Sequence, residues 1–290
     1  MSRTGLVVRA WANRGIAQLD QNLLVPFHFP RRLIRPLPGD RVLLDGQDGL
    51  VEVIARANEF GRGDARGRFR AAAANVDRAV IVIAPEPAPS ADLIHRYITG
   101  AILQDIEPLV IINKSDLALP DSGPFADLED LAGLGYRVIQ TRCKPQPALG
   151  ELRDLLSTGT SLLTGQSGVG KTSLLNALIP DLDERTGTLS QVTGKGTHTT
   201  TTATVYPLSD HAALVDTPGV WEYSLWGMAP TELQRGFPEF SDHARQCRFR
   251  DCRHDSEPSC AVRAAAEAGE IPASRHAAWL RLLGEQRRFG

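Results

Sequence analysis

Apolar and polar positions alternate in short runs over the first part of the chain. GLVVRAW, GIAQL, RVLLDG and LVEVIA are separated by Gly, Asp and Pro turns such as PGDRV and DGQDG. A period of two in runs this short, punctuated by turn residues, predicts a small β-barrel. From VDRAVIVIA onward the pattern changes: wholly apolar runs alternate with stretches of helical spacing, SADLIHRYITGAIL and FADLEDLAGLG among them. That alternation predicts a parallel sheet covered by helices. The last stretch carries two further amphipathic helical segments, AVRAAAEAGEI and ASRHAAWLRLLGEQRRF. No transmembrane span, internal repeat or low-complexity region is found. The expected division is a barrel over 1–64, an α/β domain over 65–224 and a mainly helical segment over 225–290.

Charge follows the same division. Residues 1–70 hold twelve Arg against seven acids, and residues 241–290 nine Arg against seven. With a net charge of −2 for the whole chain, the middle carries −9. Basic flanks around an acidic core suggest contacts with a polyanion, although a charge run is more often a solvated face.

The chemistry concentrates in the middle. GQSGVGKTS at 165–173 fits GxxxxGK[ST], with the apolar SLLTG ahead of it and the helical SLLNALI behind. In that context Gly165, Gln166, Ser167, Gly168, Val169 and Gly170 present backbone N–H groups to phosphate oxygens at a helix N-terminus. Lys171 reaches the β- and γ-phosphates, Thr172 supplies a hydroxyl to Mg²⁺, and Ser173 completes the loop. NKSD follows the apolar VII, placing Asn113, Lys114, Ser115 and Asp116 at a strand's C-terminal end, where open α/β sheets bind ligands. The Asp116 carboxylate accepts from guanine N1–H and the 2-amino group, a donor pair adenine lacks. Asn113 braces the purine and the loop, and the stem of Lys114 lies over the base.

HAALVDTPG at 211–219 ends an apolar strand in DxxG. Asp216 is expected to hold Mg²⁺ through water and the Gly219 amide to contact the γ-phosphate. Val220 stands where Ras-like GTPases carry a water-positioning glutamine. GKGTHTTTTATVY at 194–206 reads as a loop feeding a strand. Thr200, with Thr199 and Thr201 as alternatives, is the expected further Mg²⁺ ligand, and a neutral His198 is placed to orient the attacking water. The phosphate motif lies about fifty residues after the base motif, the reverse of the usual order. GTP as nucleotide and a circularly permuted G domain follow. Because a permuted chain leaves the domain soon after DxxG, the γ-phosphate segment is expected to be tied directly to the last segment.

Four cysteines, with no apolar targeting stretch near Met1, argue for a reducing compartment. Cys247, Cys252, His254 and Cys260 fall within fourteen residues as C-x4-C-x-H-x5-C. This ligand set suits tetrahedral zinc, and four protein ligands make it structural rather than catalytic. Cys143 is left over and reads as a small, partly buried residue.

The barrel, NKSD, GQSGVGKTS, the THTTTT loop, DTPGV, GFPEF at 236–240 and the zinc spacing together resemble the bacterial small-ribosomal-subunit-dependent GTPase family, RsgA or YjeQ, over essentially the full length. The resemblance implies an OB-fold, a circularly permuted α/β GTPase domain and a C-terminal zinc domain. It implies action in late maturation of the small ribosomal subunit, contact with that subunit and its rRNA, and GTP hydrolysis to GDP and phosphate stimulated by the subunit. A cytoplasmic monomer with no membrane contact is expected. The family's histidine matching His198 is implicated in hydrolysis. Two departures stand out. The chain begins almost at the barrel, without the longer basic extension of some members, so fewer or differently placed rRNA contacts are expected; and Thr172 replaces the commoner serine with its hydroxyl retained.

Overall fold

The computed structural model describes residues 2–20, 23–30, 34–144, 146–179, 182, 203–217 and 223–289. The first sheet is antiparallel: β1 (Arg3–Trp11), β2 (Arg14–Gln18), β3 (Leu24–His28), β4 (Arg41–Leu44) and β5 (Leu50–Val53), in the order β3-β2-β1-β4-β5. A bridge between His28 and Gly49 brings its two edges together, as a small OB barrel requires. Val7, Ala17, Phe27, Val42 and Leu44 fill the interior. The patterning had not marked β3, because Pro26 interrupts LVPFH. The strand lies at the sheet's edge, where a missing N–H is tolerated.

A hairpin follows, β6 (Glu59–Gly63) with β7 (Phe69–Ala74). EFGRG and FRAAAA lack the alternation of large apolar residues that announces a strand, so this element too was not anticipated. Asp64 organises its turn by accepting from the Arg66 and Arg68 amides and from both the Arg68 and Arg70 side chains. The expected boundary between 64 and 65 falls inside this turn.

The main sheet comprises β8 (Arg78–Ile83), β9 (Glu107–Ile112), β10 (Arg137–Gln140), β11 (Gly159–Thr164), β12 (Thr204–Ser209) and β13 (Ala212–Asp216). Its order is β10-β9-β8-β11-β13-β12, parallel throughout except for β12 against β13. Val80, Ile81, Val82 and Ile83 are fully buried, which is why the central strands read as unbroken apolar runs. Helices α1 (Leu93–Leu103), α2 (Leu128–Gly133), α3 (Gly150–Leu155) and α4 (Lys171–Leu178) connect the strands. The strand that leads into the phosphate motif is the fourth of this sheet in sequence but lies inside it, so the order of segments is permuted while the C-terminal strand ends still share one edge.

The last segment packs α5 (Pro230–Gln234), α6 (Ser241–Ala244), α7 (Ala261–Glu267) and α8 (Ala273–Gln286). Trp279, Phe237 and Phe240 are fully buried in a core continuous with α1 and the main sheet. Arg96 on α1 pairs with Asp92 and with Glu285 of α8, and Arg281 reaches Asp92. Several flank arginines serve such internal pairs rather than a free surface. Arg275 is fully buried against Glu239 with its guanidinium 4.2 Å from the Phe237 ring, and Arg56 pairs with Asp40 and Glu59. Among the described residues no helix is long and apolar enough to cross a membrane.

Candidate functional site

The phosphate motif forms a turn between β11 and α4. Gly165 has φ +137°, and a Cβ there would stand 2.2 Å from the Val82 carbonyl oxygen. Gly170 caps α4 with φ +96°, and its Cβ would stand 2.3 Å from Asn113 Nδ2. Both glycines are therefore required by neighbouring backbone and side chain as well as by φ. Lys171 Nζ donates to the Gly165 and Gln166 carbonyls, each at 2.7 Å. Gln166 Nε2 donates to Pro87 O at 2.7 Å and Ala88 O at 3.1 Å, tying the loop to the β8–α1 connection. Val169 is fully buried, Ser167 is half-buried, and Gly168, Thr172 and Ser173 face solvent.

The base motif touches this loop directly. Asn113, 2% exposed at the end of β9, donates from Nδ2 to Val169 O at 2.9 Å. Its Oδ1 accepts from Thr141 Oγ1 at 3.2 Å and has Cys143 Sγ at 3.8 Å. Lys114 adopts φ +59° and donates from Nζ to Glu86 O at 2.6 Å. The Ser115 amide donates to Thr141 O at 3.1 Å, and the Asp116 side chain is exposed. Fifty residues apart in sequence, the two motifs share a hydrogen bond.

Thr141 and Cys143 were not assigned to this site from the sequence. They follow β10, which is parallel and adjacent to β9, so their loop emerges at the same edge. Cys143 is half-buried, and burial pushes its thiol up. TRCK carries no spacing signal of its own; the strand order alone identifies it.

Asp216 ends β13 beside β11. Burial pushes its carboxyl up to about 6, with the Lys171 charge opposing. Burial likewise pushes the Lys171 ammonium down, while Asp216 opposes. The half-buried Asp216 carboxylate and the exposed Thr172 hydroxyl each offer oxygen, the donor type that suits Mg²⁺. Thr217 Oγ1 donates to Leu163 O at 2.8 Å and fixes the chain after Asp216. His198, Thr199, Thr200, Thr201, Gly219 and Val220 lie outside the described residues.

The second site lies in the C-terminal segment. The ligand atoms of Cys247, Cys252, His254 and Cys260 all lie within 4.8 Å of one another. Sγ of Cys247 and Sγ of Cys260 stand 3.6 and 3.5 Å from His254 Nδ1, and 4.0 Å from each other. Tetrahedral bonds to zinc of about 2.0–2.3 Å require separations of about 3.6–3.8 Å, so the cluster fits one zinc ion. Burial, and then the neighbouring thiols, push Cys252 up to about 12; burial also pushes Cys260 up and His254 down. The neutral imidazole is the ligating form, and the thiols must release protons to a metal. His254 Nε2 donates to Gln234 Oε1 at 3.3 Å, which leaves Nδ1 for the cluster. Cys260 caps α7 and accepts from the Arg263 amide at 3.4 Å, where the helix end favours a thiolate. Gln234 lies outside the cysteine spacing, and nothing in the sequence singles it out.

Comparison with known proteins agrees with this architecture. The RsgA GTPase family matches residues 53–226. The small ribosomal subunit biogenesis GTPase RsgA of Pseudomonas aeruginosa is 43% identical over 262 residues, covering 88% of this chain and 77% of that one. Its namesake in Azotobacter vinelandii is 41% identical over 262 residues, covering 88% and 76%. The crystal structure of YjeQ from Thermotoga maritima superposes with a TM-score of 0.76 at 28% identity, covering 99% of both chains. YloQ, described as a circularly permuted GTPase, superposes with a TM-score of 0.74 at 26% identity, covering 100% of this chain and 96% of that one. The permuted order of the sheet and these matches converge: the chain belongs to the RsgA GTPase family.

Proposed function

We propose that this GTPase binds the small ribosomal subunit and its rRNA, acts in late maturation of that subunit, and hydrolyses GTP to GDP and phosphate with stimulation by the subunit. The observation that carries the nucleotide part is the bond from Asn113 Nδ2 to Val169 O, which joins base and phosphate loops into one site. The ribosomal part rests on the relatives that carry the name small ribosomal subunit biogenesis GTPase RsgA. Three working parts are proposed: the OB barrel over 1–64, the permuted GTPase domain over 65–224 and the zinc domain over 225–290.

In this reading Asp116 selects guanine, with Asn113, Lys114 and Ser115 shaping the base site. Residues 165–173 hold the phosphates through backbone N–H groups, and the Lys171 ammonium neutralises charge that builds on the γ-phosphoryl group as water displaces GDP. Thr172, Asp216 and Thr200 are assigned to Mg²⁺, which when bound draws charge off the β- and γ-phosphate oxygens. His198 is assigned to orient or polarise the attacking water, and the Gly219 amide to contact the γ-phosphate. Zinc on Cys247, Cys252, His254 and Cys260 is structural. The setting is a cytoplasmic monomer that binds GTP and GDP.

The test is GTP turnover by the purified chain with and without small ribosomal subunits at two salt concentrations. Strong stimulation by the small subunit that fades with salt, as phosphate contacts do, is expected. Tight GTP binding with no stimulation would overturn the ribosomal part and leave the nucleotide site standing.

A further inference from the structure

Among the described residues two aromatic side chains are exposed, Phe249 at 39% and Phe289 at 41%. Phe289 is laid over Gly67 and Gly227, where a Cβ would stand 2.5 and 3.0 Å from its atoms. Phe249 is placed differently. It belongs to RFRD, the four residues between Cys247 and Cys252, and all four are exposed.

This short loop is held in shape by its own bonds. The Cys252 amide donates to Phe249 O at 3.3 Å and the Arg248 amide to Ser259 O at 3.4 Å. Cys247 and Cys252, at its two ends, both belong to the metal cluster. The Arg248 guanidinium carbon lies 5.4 Å from the Phe249 ring centroid, inside the cation–π range of about 6 Å. Beside the ring opens a cleft of about 360 Å³ lined by Arg245, Phe249 and Arg250 together with Gln234, Cys252 and His254, with no acid among its described lining residues. Other arginines of this segment are spent on internal pairs, Arg263 with Glu267, Arg275 with Glu239 and Arg287 with Asp255. Arg245 reaches Asp242 at 3.7 Å with both side chains exposed, and neither Arg248 nor Arg250 has an acidic partner among the described residues.

A lone exposed ring is ordinary on a protein surface, so its surroundings decide what it fits. An apolar protein segment covering Phe249 would desolvate the guanidinium groups beside it without pairing them. A nucleotide meets both demands at once, with a π-face for the ring and a phosphate for the arginines. Within a duplex that face is stacked on its neighbours, so the match is to an unpaired base.

Resting on the reading that this chain binds the small ribosomal subunit and its rRNA, we propose that the Cys247–Cys252 loop docks one unpaired rRNA nucleotide, its base stacked on Phe249 and its phosphates met by Arg248 and Arg250. The metal cluster then serves recognition by fixing both ends of the loop.

The experiment measures Kd of the full chain for purified small ribosomal subunits at several salt concentrations, with a non-hydrolysable GTP analogue present. Phe249→Ala and Phe249→Leu are each expected to weaken binding about tenfold, the loss of one stacked base, with the salt dependence unchanged. Phe249→Trp should bind at least as tightly as wild type. Arg250→Ala should weaken binding and lower the slope of log Kd against log salt by about one, as a lost phosphate contact does. Zinc content and melting temperature should stay at wild-type values in all four. Wild-type affinity in Phe249→Ala overturns the inference. So does wild-type affinity in Phe249→Leu beside a weak Phe249→Ala, because an apolar side chain without a π-face would then suffice and the contact would be with a ribosomal protein. If Phe249→Ala loses zinc, Phe249→Leu and Phe249→Trp carry the same comparison. A wild-type chain that does not bind the subunit removes the ribosomal reading as well; a wild type that binds alongside equal variants removes only the role of this loop.

Discussion

The two ligand sites of this chain are built in opposite ways. The Cys247–Cys260 cluster draws all four ligands from fourteen consecutive residues. The candidate nucleotide site collects Asn113, Thr141 and Asp216 from three strand ends and Lys171 from the start of α4. A local site is as good as its short loop, and a metal can organise that loop by itself. A dispersed site depends on strand order, so that Asn113 meets Val169 only because β8 separates β9 from β11 and their C-terminal ends share one edge. The two are expected to fail independently, and the largest effects test that first.

Lys171→Ala should reduce GTP turnover by about 10² or more, the scale of losing one preorganised electrostatic contact in a transition state. Zinc content, read by elemental analysis, should stay at one ion per chain. Loss of zinc in this variant would break the comparison. In the other direction, Cys252→Ser should abolish stoichiometric zinc and lower the melting temperature by about 5–10 °C, as a loss of several kcal/mol does in a chain of this size. GDP titration of the same variant should remain near wild type at a temperature where it is folded. A concerted collapse of GDP binding would show that the continuous core joining α1 to the C-terminal helices makes the two sites one unit.

pH separates them further. Burial holds the Asp216 carboxyl at about 6, above its ordinary value, so it is ionised above that pH and protonated below it. Mg²⁺-dependent GTP affinity is therefore expected to fall as pH drops through about 6, by up to about tenfold per unit. Asp216→Asn should flatten that profile, and an unaltered profile would assign the titration elsewhere. The smallest effect expected is that of Thr141→Ala. Removing its hydroxyl from Asn113 Oδ1 should weaken GDP binding about fivefold, and isothermal titration would resolve it. No change would mean that the Ser115 amide bond to Thr141 O holds the loop by itself.

How much of this was legible differs along the chain. GxxxxGK[ST] and NKSD are contiguous, so their existence and inverted order could be read directly, and the flanking apolar runs gave β9, β11 and α4. The barrel strands with clean alternation could be read as well. β3 could not, since Pro26 argues against a strand unless the strand is known to lie at an edge. The β6–β7 hairpin carries glycines and alanines where a reader of patterns looks for large apolar residues. Thr141 and Cys143 were missed because their loop has no motif and acquires meaning only beside Asn113. Gln234 was missed because its partner, His254, lies twenty residues away on another element.

The sequence by itself determined the motifs: NKSD and GxxxxGK[ST] in inverted order, a zinc-type ligand set, and an α/β domain between two basic flanks. These are properties of contiguous residues, whose backbone demands and donor atoms are set within one loop. The tertiary structure alone decided which loops share an edge, that Asn113 is braced by Thr141, that Gln234 orients His254, and that Tyr223 stands between Tyr97 of α1 and the hairpin. Such contacts depend on strand order and helix packing across long separations, and buried polar groups find partners only after the apolar core has fixed where each element lies.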